Sequence, residues 1–64
     1  MAKTVFDVLV DQMQADIDSA TAFLGKGSAN DYAAYRETCG LIRGLQAAQQ
    51  YVVDLSRRME NDDE

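Results

Sequence analysis

The 64-residue chain has no histidine, no proline and a single cysteine. With no imidazole to act as its base, Cys39 is read as a small hydrophobe of a helix rather than a nucleophile, which argues against a cysteine hydrolase. One cysteine allows no disulfide within the chain, and without histidine no tetrahedral metal site can be assembled. Carboxylates at calcium-loop spacing and a glycine-rich phosphate loop are also missing. No apolar stretch approaches the roughly 20 residues that crossing a bilayer requires. Basic residues are few, 6 against 11 acidic, and the resulting net charge of −5 works against binding nucleic acid or anionic lipid. Asp7, Asp11, Asp16 and Asp18 interrupt the first 24 residues, which therefore lack the form of a signal peptide. These absences predict a soluble protein kept in a reducing cytoplasm, with no cofactor, no metal and no catalytic residue.

What the chain does have is helical periodicity. Thr4 followed by Asp7 has the form of an N-cap with an acid at the third helical position. From there apolar residues alternate steps of four and three through Phe6, Val10, Met13, Ile17, Ala20 and Leu24, with Leu9 and Phe23 widening the stripe. Asp7, Asp11, Gln14 and Asp18 occupy the opposite face. Gly25-Lys26-Gly27 supplies a glycine C-cap, and Ser28 with Asp31 repeats the N-cap pattern, so a turn over residues 25–28 is expected between helices at about 5–24 and 29–59. A connection this short makes the helices antiparallel. The predicted fold is all-α: an antiparallel two-helix hairpin with a longer second helix and an acidic tail over residues 60–64, forming one domain across residues 1–64.

The second helix carries its own stripe, Leu41, Leu45, Ala48, Val52, Leu55 and Met59, in the same four-three rhythm. At 1.5 Å per residue it outreaches the first helix by roughly 16 Å, so the start of helix 1 should meet it near Ala48 or Gln49. Val52, Leu55 and Met59, with Tyr51 and Val53 beside them, would then lie beyond cover, each forfeiting roughly 1.5–3 kcal/mol of burial. A chain this short buries only about 60% of its unfolded surface. Completion by oligomerisation or by a partner protein is therefore predicted. Gly40 and Gly44 each cost about 1 kcal/mol relative to alanine inside a helix. They either admit another helix into a small-residue groove with Ala47 or Ala48, or make room for Phe6 or Met13 across the hairpin.

The basic residues of helix 2, Arg36, Arg43, Arg57 and Arg58, could meet RNA or an acidic protein, or could pair within the helix, for instance with Asp54. Asp7, Asp11 and Asp18 share a helix face that could hold a weak cation, though such a run is more often a solvated face. Tyr32 and Tyr35 suit either the closed end of the hairpin or an interface.

The segment from Asp31 through Tyr32, Tyr35, Cys39, Gly40, Ile42, Arg43 and Gly44 to Leu45, followed by the acidic tail, resembles a pattern in small helical proteins encoded by tailed bacteriophages near head and tail assembly genes. That resemblance implies a non-enzymatic structural or assembly protein of the virion, located in the virion or host cytoplasm, with Gly40, Arg43 and Gly44 at a contact surface. In architecture alone the chain is similar to the plasmid repressor of primer, which implies the alternative of a small dimeric regulator that binds RNA or a host protein. The protein interface expected for packing through helix 2 comprises Gly40, Arg43, Gly44, Tyr51, Val52, Leu55 and Met59, whereas the regulator would bind through Arg36, Arg43, Arg57 and Arg58.

Overall fold

The computed structural model describes residues 4–62 and contains two α-helices, α1 (Val5–Gly25) and α2 (Tyr32–Asp62), packed as an all-α antiparallel hairpin. Residues 63 and 64 of the expected acidic tail lie outside the described residues. Glu60, Asn61 and Asp62 belong to α2 rather than to a tail.

α1 begins at the capping box its sequence announces. The Thr4 hydroxyl accepts from the Asp7 backbone N–H at 3.2 Å, and the Thr4 N–H donates to an Asp7 carboxylate oxygen at 3.0 Å. Two otherwise orphaned donors are thereby satisfied. The far end is a Schellman motif: the Ser28 N–H donates to the Phe23 carbonyl, the Gly27 N–H donates to the Leu24 carbonyl, and Gly27 takes φ +73°. Gly27 is thus the glycine the turn requires, whereas Gly25 is the last helical residue.

That motif corrects the expected start of α2. Ser28 gives its N–H to the closing of α1 and stands four residues before Tyr32, the first residue of α2, so it does not cap that helix. Asp31 does so instead, its carboxylate accepting from the Ala34 N–H at 2.8 Å. The connection is the six residues 26–31, not three or four.

The longer connection moves the register of the whole hairpin. Gln49 lies opposite Val10 and Gln14, its amide donating to the Val10 carbonyl at 3.2 Å and to the Gln14 side-chain oxygen at 3.1 Å. Phe6, near the start of α1, shares a groove with Val53, Ser56 and Arg57. The expectation that α1 begins opposite Ala48 or Gln49 is therefore wrong. Val52 is half-buried in the seam rather than beyond cover.

The α1 row Phe6, Val10, Met13, Ile17, Ala20 and Leu24 faces α2 as its spacing predicts, every member at least half-buried. On α2 the row that meets α1 is Thr38, Ile42, Leu45, Gln49, Val52 and Ser56. This lies to one side of the predicted stripe, sharing only Leu45 and Val52 with it. Leu41, Leu55 and Met59 remain exposed, at 55%, 42% and 50%. Among the described residues only Ile17 and Ala20 are buried apolar residues, so the seam is a line of contact rather than a core.

Candidate protein-packing surface

The side chains that flank the seam fall into two classes by position. On α1 the exposed apolar residues Val5, Leu9 and Phe23 each stand one place before a seam residue, Phe6, Val10 and Leu24. On α2 Leu41, Gly44, Ala48, Tyr51 and Leu55 stand one place before Ile42, Leu45, Gln49, Val52 and Ser56, and Met59 stands before Glu60. One residue is a rotation of about 100° in a helix. Because the two helices run in opposite directions, the same backward step on each turns their side chains toward the same long side of the hairpin. That side is apolar along α2 from Leu41 to Met59, with Glu37 at its start, and on α1 at Val5, Leu9 and Phe23. Between Leu9 and Phe23 it is interrupted by Gln12, Asp16 and Ser19, the first two hydrogen-bonded to each other at 3.2 Å.

The forward step gives the opposite long side. Asp7, Asp11, Gln14 and Asp18 of α1 and Tyr35, Cys39, Arg43, Gln46, Gln50, Val53 and Arg57 of α2 lie there, Val53 being its one large aliphatic side chain among those named. It is bound up in local polar contacts: Gln14 donates to Asp18 at 2.9 Å, Gln50 donates to Asp54 at 2.9 Å, and Asp7 and Arg57 line the same groove. Asp54 therefore accepts from Gln50, in place of the expected pairing with Arg57 or Arg58. Near the turn Tyr32 and Tyr35 stack with ring centroids 6.2 Å apart. The Cys39 thiol, one turn beyond Tyr35, pushes that phenol above its ordinary pKa, first as a hydrogen-bond partner and then through charge, with slight burial adding to the shift.

The seven residues expected at an interface are thus distributed among several faces. Gly44, Tyr51, Leu55 and Met59 lie along the apolar side, whereas Val52 is in the seam and Arg43 is on the polar side. Gly40, two places before Ile42, faces away from α1. A β-carbon built on Gly40 or Gly44 meets no atom within 4 Å, so neither glycine makes room for Phe6 or Met13. That alternative is removed. Sequence reasoning missed Thr38, Gln49 and Ser56 as seam residues because polar side chains are normally placed outside. Thr38 is admitted because its hydroxyl donates to the Ala34 carbonyl within its own helix at 3.0 Å, and Gln49 because it bonds across the seam.

Among the described residues no group of three or more His, Cys, Asp or Glu is placed to hold a metal ion. No helix of the described residues is long and apolar enough to cross a membrane. Arg36, Arg43, Arg57 and Arg58 are spread along α2 over roughly 33 Å and do not converge on one point.

No family model and no solved structure matches the chain. It is similar to part of two proteins named probable farnesyl diphosphate synthase. One, from Bradyrhizobium diazoefficiens, is 48% identical over 42 residues, which is 66% of this chain and 13% of that protein. The other, from Sinorhizobium fredii, is 48% identical over 48 residues, 75% of this chain and 14% of that protein. The chain therefore corresponds to a small part of the relatives it matches. These similarities overturn the expected role as a phage virion structural or assembly protein, and with it the alternative of an RNA-binding or host-binding regulator, because the proteins to which part of this chain is similar are named for an enzyme.

Proposed function

We propose that the chain is a helical packing module associated with an enzyme, contributing apolar surface to a larger protein assembly and performing no catalysis itself. The observation that carries this reading is the similarity to a stretch making up only 13–14% of proteins named for farnesyl diphosphate synthesis. A stretch of that size is an element of a fold rather than a complete active centre. Handling a diphosphate requires bound cations or several convergent basic groups. The arginines of α2 diverge along the helix, and the surface this chain offers in quantity is apolar.

The test is a graft. The matching stretch of the Bradyrhizobium diazoefficiens protein is replaced either by the aligned residues of this chain or by a glycine-serine linker of equal length, and both are assayed for folding and for farnesyl diphosphate formation. The graft should retain both properties and the linker should lose them, while this chain alone forms no product. Product formation by the chain alone, or a graft as defective as the linker, would overturn the reading.

A further inference from the structure

The apolar long side has a shape and a charge pattern that identify its occupant. A compact monomer of 7.1 kDa exposes about 4100 Å² on the usual scaling of surface with mass, whereas this chain exposes 5038 Å². Its radius of gyration, 15.1 Å, likewise exceeds the roughly 10.7 Å of a compact 64-residue domain. The surplus of about 900 Å² belongs to the whole elongated hairpin, and its size is of the order of the roughly 800 Å² that each partner contributes to a standard interface.

On α2 this side reads Leu41, Gly44, Ala48, Tyr51, Leu55, with spacings of three, four, three and four, the seam pattern of paired helices. The pattern is nearly symmetric about Ala48, which stands next to the midpoint of the helix Tyr32–Asp62. Leu41 lies seven residues before Ala48 and Leu55 seven after. Glu37 lies eleven before and Arg58 ten after, with opposite charges, and both are exposed. A surface whose two halves complement each other in this way fits a copy of itself turned end for end.

We infer that two copies of this chain pair through their apolar sides about a two-fold axis at Ala48, forming an antiparallel four-helix bundle. α2 runs against α2 of the second copy, and each Leu41 packs on the other copy's Leu55. Glu37 of each chain meets Arg58 of the other at the rim. Gly44 and Ala48 at the crossing let the backbones approach closely, which gives the helix-weakening Gly44 a structural use that the single hairpin does not provide. The parts of α2 that extend past both ends of α1 are covered by their counterparts. This inference stands apart from the enzyme-associated reading, because it concerns the isolated chain and its test contains no synthase.

Sedimentation of the purified full chain over a wide concentration range should give a species of about 14 kDa, twice the chain mass, in reversible exchange with monomer. Leu55→Asp, which removes two buried leucines per dimer, should raise the dissociation constant at least about a hundredfold. Val8→Asp, at an exposed site off the apolar side, should leave it unchanged. Glu37→Arg should weaken the dimer, and Glu37→Arg with Arg58→Glu should restore it, a rescue that loss of folding could not produce. In a Cys39→Ser background, Ala48→Cys should oxidise to a covalent dimer and Gln50→Cys should not. A monomer at every concentration, an assembly other than a dimer, a dimer indifferent to Leu55→Asp, or no rescue by the charge exchange would each overturn the inference.

Discussion

The two long sides of the hairpin are built on the same two helices and flank the same seam, yet they are chemically opposite. On one side polar side chains engage each other locally: Gln14 holds Asp18, Gln50 holds Asp54, and the Asp7 carboxylate caps α1 at Thr4. On the other, Leu9, Phe23, Leu41, Tyr51, Leu55 and Met59 are exposed with no such local use. A solvated surface needs only the first kind of side chain. The second kind costs solubility and contributes nothing to a single hairpin, so its presence is the reason to look beyond one copy of the chain. The seam between them is narrow, with Ile17 and Ala20 as its buried apolar residues. The contrast is therefore between two surfaces more than between a surface and a core.

The largest effect that separates seam from surface is at Ile17. Ile17→Ala should destabilise the protein by about 2–5 kcal/mol, enough to abolish most of the helical signal at ambient temperature in so small a domain. Val8→Ala, at a residue that is 55% exposed, should move the thermal midpoint little. Thermal melts followed by circular dichroism, with chain concentration held fixed, make the comparison. Equal losses from the two would mean that the seam does not hold the helices together.

A second, smaller pair of changes separates the apolar side from the outward face. In the single hairpin, alanine at Gly40 or Gly44 meets nothing, and each substitution should stabilise α2 by about 1 kcal/mol through helix propensity alone. If the apolar side is packed, Gly44→Ala should lose this gain whereas Gly40→Ala keeps it. Denaturant titrations at low and high chain concentration read the difference directly. An identical gain from both at high concentration would show that nothing approaches Gly44.

Much of the fold was legible in the sequence. The Thr4–Asp7 box and the α1 row are local features, set by spacing and by donors that must be satisfied, and both stand where they were expected. The face that α2 turns toward α1 was not legible, because two interleaved rows on α2 obey the same four-three rhythm. The more apolar row, through Leu41, Leu55 and Met59, is not the one that meets α1. Choosing between the rows depends on the register, and the register depends on a turn whose Ser28 serves the helix before it rather than the one after. The same ambiguity is informative for the candidate surface. A helix with more apolar surface than one neighbour can cover has surface left for a second, and the predicted residues Gly44, Tyr51, Leu55 and Met59 fall on that remainder. Arg43 and Gly40 do not, since a resemblance in residue pattern carries no information about which way each position faces.

The smallest effect tests the polar side near the turn. Cys39 beside Tyr35 favours the neutral phenol in the folded chain, so the Tyr35 pKa is raised above its ordinary value. The sign follows from linkage: this contribution to stability is complete below the unfolded pKa near 10 and is lost as the pH rises through the higher folded value. In a background of Tyr32→Phe and Tyr51→Phe, absorbance titration of the remaining tyrosine should show a midpoint above that of the unfolded chain, and Cys39→Ala should lower it. Because the thiol acts within one helix and on the side away from Leu41 and Leu55, the shift should be the same at low and high chain concentration. A midpoint that moves with concentration would place the polar side at an interface as well, and the chemical division between the two sides would then no longer mark which of them is covered.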